Sequence, residues 1–229
     1  LLAVPAPEGV SVQPEHIFAA QTMRTKIQYD WAELPEASHA SLRSSLLAHV
    51  LRFGQGPQPV LTQLCLAVGV MALHMQSWHA TVVTDLVSSL TTPPEEATAK
   101  LPCLLELLLV LPEQAENYKV NVLPRVRESF RQVLAAASAN VLGLLHNVCT
   151  QCEPQAGTPV GEAILNKMMR CLIPWMRHVA LPEEQISSSP VLPFAFRALQ
   201  SQALFEAAVD LIVETVHCTS DHESLGAVV

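Results

Sequence analysis

Apolar residues recur along this chain at steps of three and four, and no segment alternates with period two over six residues. Such spacing gathers them on one face of a helix, because 3.6 residues complete a turn. Ala20, Met23, Ile27 and Trp31 form the first stripe, on a helix over 15–29. Leu34-Pro35 closes it, since proline lacks the N–H and crowds the preceding turn. Leu42, Leu46, Val50 and Phe53 form a second stripe, over 38–52. These two faces must close on each other and on further helices.

The rest of the chain repeats the plan. Gly54 to Pro59 breaks the pattern, and Leu61, Leu64, Val68, Met71 and Met75 resume it. Trp78 starts a partner helix to about Leu90, with Ser77 as its cap. Thr91 to Ala99 reads as a surface loop, and Leu101 to Leu111 as a short helix, apolar nearly all round, that Pro112 stops. A loop from Glu113 to Pro124 leads to the longest helix, Glu128 to about Cys152. Its stripe is Phe130, Leu134, Ala137, Val141, Leu144 and Val148. That spacing resembles a coiled-coil seam, but six positions are too few, and packing in an array is favoured. Thr158-Pro159 starts the next helix, with a capping hydroxyl and proline in the first turn. Its stripe is Ile164, Met168, Cys171 and Trp175, with Pro174 as a kink. A helical turn follows Pro182, Ser189-Pro190 opens a helix to about Leu199, and Phe205, Val209, Ile212 and Val216 mark the last stripe.

The fold class is therefore all-α. Helix pairs recur about every 35 to 50 residues, the period of HEAT-type arrays. One pair cannot bury its own apolar faces, so neighbours stack into an α-α superhelix of the HEAT/ARM kind. Residues 1–14 read as a linker or cut helix end, 15–218 as an array of about four to five pairs, and 219–229 as a fraying tail. No initiator methionine is present, and the chain reads as a segment of a longer solenoid.

Composition narrows the function. The chain is 50% hydrophobic and 15% charged, too apolar for disorder. A formal charge of −8 disfavours nucleic acid, which needs clustered Lys and Arg, and suits a basic partner better. From Phe53 to Thr84 there is no Asp, Glu, Lys or Arg. Pro57, Pro59, Gln63, His74 and Gln76 interrupt that stretch, and its unbroken apolar run, Leu64 to Leu73, is too short to span a bilayer. A buried helix pair is the better reading, with no membrane insertion.

Chemistry is sparse. No P-loop, G-x-S-x-G, H-E-x-x-H or G-x-G-x-x-G occurs, so no cofactor, metal or catalytic residue is assigned. The nine histidines are scattered. His74 and His79 flank Trp78 without a third or fourth ligand in view. Cys149 and Cys152 form a C-x-x-C pair at the end of a helix, without the second pair or strand–helix context of a zinc or redox site, and are read as structural. Thiol chemistry there is the best form an enzyme could take. The adjacent acids Glu95-Glu96 and Glu183-Glu184 cannot face each other across a substrate. Arg125, Arg127, Glu128 and Arg131 form the densest charged cluster, read as a solvated first helical turn.

One stretch carries a resemblance. The segment FAAQTMRTKIQYDWAELPEASHASLRSSLLAHV, with AAQT-M-KIQ, then ELP, then SHASLR-SLL, resembles the early HEAT repeats of the transportin-SR and importin-13 branch of the importin-β superfamily. TQLCLAVGVMALHMQSW, LPCLLELLLVLPE, RVRES and MRCLIPWM are similar to later stretches of the same family, extending the likeness over roughly Phe18 to Cys218. Asp30, Trp31 and the loop Thr91 to Lys100 depart from it.

What this resemblance implies is a nuclear transport receptor without enzymatic activity. It would bind Ran-GTP, pass nucleoporins and carry protein cargo such as Arg/Ser-rich splicing factors, shuttling between cytoplasm and nucleus. The family's second helices line its inner face. On the two second helices here, the resemblance points to Ser41, Arg43, Ser44 and Asp85 as partner-binding residues, with Arg43 in the SLR motif. The alternative is a helical-repeat scaffold or adaptor without Ran dependence.

Overall fold

The structure is a computed structural model, and it describes residues 14–179, 181, 185–186 and 188–220. The expected linker over 1–13, the turn from Pro182 and the tail from 221 lie outside these residues. Among the described residues the regular structure is helical. The α-helices are α1 (Pro14–Tyr29), α2 (His39–Arg52), α3 (Gln58–His74), α4 (Val82–Thr91), α5 (Pro94–Ala115), α6 (Pro124–Cys152), α7 (Pro159–His178), α8 (Val191–Ala198) and α9 (Phe205–Ser220). The chain divides into two compact units, residues 1–130 and 131–229. The all-α, HEAT-like reading stands.

The first unit holds two helix layers. α1, α3 and α5 pack side by side, while α2 leans on α3, and α4 on α5. α3 is the central element: Val60, Leu61, Leu64, Cys65, Val68, Met71 and Leu73 are all buried, so it meets neighbours around most of its circumference. This is the charge-free stretch of the sequence. It folds as a buried helix followed by a 111° bend into the segment Gln76–Thr91.

Two boundaries differ from the pattern. Trp31 does not extend the α1 stripe. α1 ends at Tyr29, and Trp31–Glu33 is a separate 3-10 turn. The Trp31 ring instead stacks against His39 and His74, with centroids 4.2 and 5.3 Å apart. Nor does Trp78 open a regular α-helix capped by Ser77. Gln76–Thr81 is a 3-10 helix with no side-chain cap, and α4 proper starts at Val82.

α5 corrects the largest misreading. The expected loop 91–99 shrinks to Thr92 and Pro93, and from Pro94 one helix runs through both Pro102 and Pro112 without the expected stop. An interior proline costs about 3 kcal/mol. Leu104, Leu105, Leu107, Leu108, Val110 and Leu111 are all at most 1% exposed, and each contributes roughly 1.5–3 kcal/mol on burial. Packing therefore outweighs two helix breakers. α6 likewise starts earlier, with Pro124 as its first residue.

In the second unit, α7 and α8 both pack against α9. α7 starts as the sequence indicates: the Thr158 hydroxyl accepts from the Gly161 N–H at 3.1 Å, with Pro159 in the first turn. It continues through Pro174 to His178. On α6 four of the six expected stripe positions, Phe130, Leu134, Val141 and Val148, are buried, together with Val126, Arg127, Ser138, Leu142, Leu145, Cys149 and Cys152, whereas Ala137 and Leu144 are half-buried. Leu142 and Cys149 widen the buried face beyond a single narrow seam, as packing in an array requires. The α9 stripe is rotated from the prediction. Phe205 and Val216 are 50% and 40% exposed, and the buried face of the helix is Ala207, Ala208, Leu211, Glu214 and Thr215, with Leu204 buried just before it. Small alanines let α7 and α8 approach there, so the bulkier residues point away.

Candidate partner-binding surface on α2 and α4

The four residues singled out on the second helices occupy two settings. Ser41 and Ser44 are exposed on α2, and both hydroxyls are turned back onto their own helix. Ser41 donates to the Ser38 carbonyl at 2.9 Å and Ser44 to the Ala40 carbonyl at 3.0 Å. Arg43 and Asp85 are brought together from α2 and α4. The Arg43 guanidinium lies 4.0 Å from Asp85 Oδ2 at its nearest nitrogen, with side-chain exposures of 31% and 45%.

Between them stands Trp78, which is 1% exposed. The guanidinium carbon of Arg43 sits 5.0 Å from the centre of its ring, a cation–π distance. The indole Nε1–H donates to Asp85 Oδ2 at 2.9 Å, and Thr81 Oγ1 donates to the same oxygen at 2.9 Å. One carboxylate oxygen is thus held by two hydrogen bonds while its charge faces the cation. The sequence pattern marks Trp78 as a helix start and leaves this contact unread. Its signal was legible, because Trp78, Thr81 and Asp85 stand at i, i+3 and i+7, one face of a helical segment.

The Arg125–Arg131 cluster is not uniformly solvated. Arg127 is buried, and its guanidinium donates to the carbonyls of Ala115 at 2.6 Å, Val120 at 2.8 Å and Asn117 at 3.1 Å. It satisfies the end of α5 and the loop that follows, where a helix leaves carbonyls unpaired. In the second unit the buried Glu214 is held by a bidentate pair from Arg177, which keeps its carboxyl below the ordinary range.

The thiols do not suit catalysis. Burial raises the Cys149 thiol to about 11, with Glu153 adding to the effect, and burial also raises Cys152. A thiol kept protonated is a poor nucleophile. Cys149 instead points its S–H at the Pro190 carbonyl, 3.9 Å away. His79 is likewise internal, with Nε2 3.2 Å from the Leu73 carbonyl and its ring against Phe130. Among the described residues no group of three or more His, Cys, Asp or Glu is placed to hold a metal ion.

Helices paired in this way, in two layers in the first unit, define a helical-repeat protein. The family model of the Exportin 1-like protein matches residues 57–212, and the chain belongs to that family, within the importin-β superfamily. It is 32% identical over 207 residues to an uncharacterized protein of Schizosaccharomyces pombe, covering 90% of this chain. It is 30% identical over 214 residues to Transportin MOS14 of Arabidopsis thaliana, covering 92% of this chain. It is also 30% identical over 215 residues to Importin-13 of Bos taurus, covering 90%. The chain spans about a fifth of the length of these relatives, 21% of each. The family seen in the opening motifs is thus the family that the comparisons return.

Proposed function

We propose that this chain is part of a nuclear transport receptor that binds Ran-GTP and carries protein cargo between cytoplasm and nucleus. The observation that carries this reading is the similarity to Importin-13 and to Transportin MOS14 over some 90% of the chain. Residues 15–218 act in it as one HEAT array, contributing to the Ran-GTP surface. The α2/α4 face, with Ser41, Arg43, Ser44 and Asp85, is the part of that surface offered by this chain. Arg/Ser-rich proteins are the favoured cargo and nucleoporins the pore partners. An acidic chain, at −8, suits basic cargo.

A pull-down on the complete receptor tests the reading. Ran loaded with a non-hydrolysable GTP analogue is retained and Ran-GDP is not, and Arg43→Ala weakens retention about tenfold, the loss of one well-placed charged contact. Equal retention of the two nucleotide forms, or of neither, by a folded receptor leaves a helical-repeat scaffold without Ran dependence.

A further inference from the structure

Arg43 differs from every other part of its cluster in what it has left to give. Asp85 Oδ2 already accepts two hydrogen bonds, from Trp78 and from Thr81. Trp78 is buried and spends its only N–H on that oxygen. The guanidinium sits beside this pair, 5.0 Å over the ring and 4.0 Å from the carboxylate oxygen, which is beyond hydrogen-bond distance of that oxygen. Arginine carries five such donors in a rigid planar fork. The side chain remains 31% exposed, so the fork is open to an incoming group.

An arginine free in solvent loses about 2 kcal/mol of rotamer freedom when a partner immobilises it. Here the ring and the carboxylate have already restricted it, so less is lost on binding. The neighbourhood also selects the guest. Asp85 offsets the charge of Arg43, so a doubly charged phosphate meets repulsion from that carboxylate. A carboxylate carries a single charge, is planar, and matches the fork with two parallel bonds.

We propose that Arg43 is a pre-organised receptor for a carboxylate on an acidic segment of a protein partner, with Trp78 and Asp85 as positioning residues that act through it. This rests on the reading of the α2/α4 face as a partner surface, and adds the chemistry of the group that it meets. In this proposal Asp85 orients Arg43 while its side chain stays 45% exposed on the same face.

The test uses the whole chain, isotope-labelled, with the Arg43 Nε–H and Trp78 Nε1–H signals followed by NMR. A capped hexaglutamate peptide shifts both signals saturably, and a hexaglutamine peptide of the same length shifts neither. Arg43→Ala abolishes the saturable shift of Trp78. Arg43→Lys keeps the charge but lacks the fork, and binds hexaglutamate about tenfold more weakly with an unchanged circular dichroism spectrum. Lysine binding as well as arginine would overturn the proposal in favour of simple charge attraction. A phosphoserine peptide binding more tightly than hexaglutamate would overturn the choice of guest. The outcome is separable from Ran dependence: a receptor indifferent to the nucleotide on Ran, whose Arg43 still recognises hexaglutamate, would sink the Ran reading alone.

Discussion

Arg127 of α6 reaches back to the end of α5 and places its guanidinium 2.6 Å from the carbonyl oxygen of Ala115. The same group also serves Asn117 and Val120. A helix end and the loop after it are thereby closed by one side chain from the next helix. Replacing Arg127 with Met removes its hydrogen bonds to all three carbonyls, leaving those of Asn117 and Val120 with only the backbone N–H groups of Val120 and Val122, and the expected loss is about 1–3 kcal/mol of unfolding free energy. Arg127→Lys recovers little, because one ammonium cannot span carbonyls on several residues. Denaturant unfolding measures both. An Arg127→Met protein as stable as the parent would mean that water closes the loop equally well.

Two glycines give opposite expectations. A Cβ on Gly161 would lie 2.1 Å from the Gln155 carbonyl oxygen and 2.7 Å from its carbon, both backbone atoms with no easy retreat. Gly161→Ala is expected to destabilise by about 1–3 kcal/mol, as overpacking does. Gly143 lies inside α6, and its Cβ would meet nothing within 4 Å. Gly143→Ala is expected to stabilise by about 0.5–1 kcal/mol, by removing the entropy glycine costs a helix interior. The difference in Tm between the two variants is the measurement, and a reversed order would refute the local geometry.

Acid should weaken the fold in two windows. Burial lowers His49, His74, His79 and His146 below the ordinary imidazole value. The unfolded chain then binds protons that the folded chain refuses, so stability rises with pH through this range. It is fully present above the unfolded value, near pH 6.5, and falls as pH drops below that. Glu214 shifts downward too, first through its Arg177 hydrogen bonds. Its contribution is present above the unfolded value, about 4.3, and is lost at lower pH. Melting temperature is expected to drop between about pH 7.5 and 5.5, and to drop again below about pH 4.5. A flat profile across the first window would show that the imidazoles charge in place.

Thiol labelling separates a structural C-x-x-C from a reactive one. Cys149 and Cys152 are buried, and burial raises both thiols. At about pH 8 they are expected to resist a disulfide reagent in the folded protein and to react on unfolding. Cys218, half-exposed, is expected to label before them. Rapid labelling of Cys149 in folded protein would reopen the redox reading.

The sequence was most legible where a stripe is narrow and its ends are chemically marked. Leu46, Val50 and Phe53 are buried as their spacing demands, and Thr158-Pro159 caps α7 as written. It was least legible where packing overrules local preference. Pro112 carries a stop signal, yet it lies within a helix whose leucines are buried against α3 and α4. Phe205 looks like a core residue, yet Ala207 and Ala208 take the contact because they allow close approach. At the candidate site, Arg43 was found through a motif, but its link to Asp85 spans 42 residues (85 − 43) and two helices. Helix phase cannot reveal such a pairing. The Trp78–Asp85 half of the cluster is local, and a search for i, i+3, i+7 polar partners would have found it.

The two prolines within α5 make that helix a property of its surroundings. Cut out as a peptide, Pro94–Ala115 would forfeit the hydrogen bonds that Pro102 and Pro112 cannot make, with no buried leucines to offset them. Its helix depends on α3 and α4, and its far end depends on Arg127. The first unit therefore has no independent middle. Truncation at the α4–α5 junction should give not a smaller array but an unfolded chain, because each neighbour supplies part of the stability of the next.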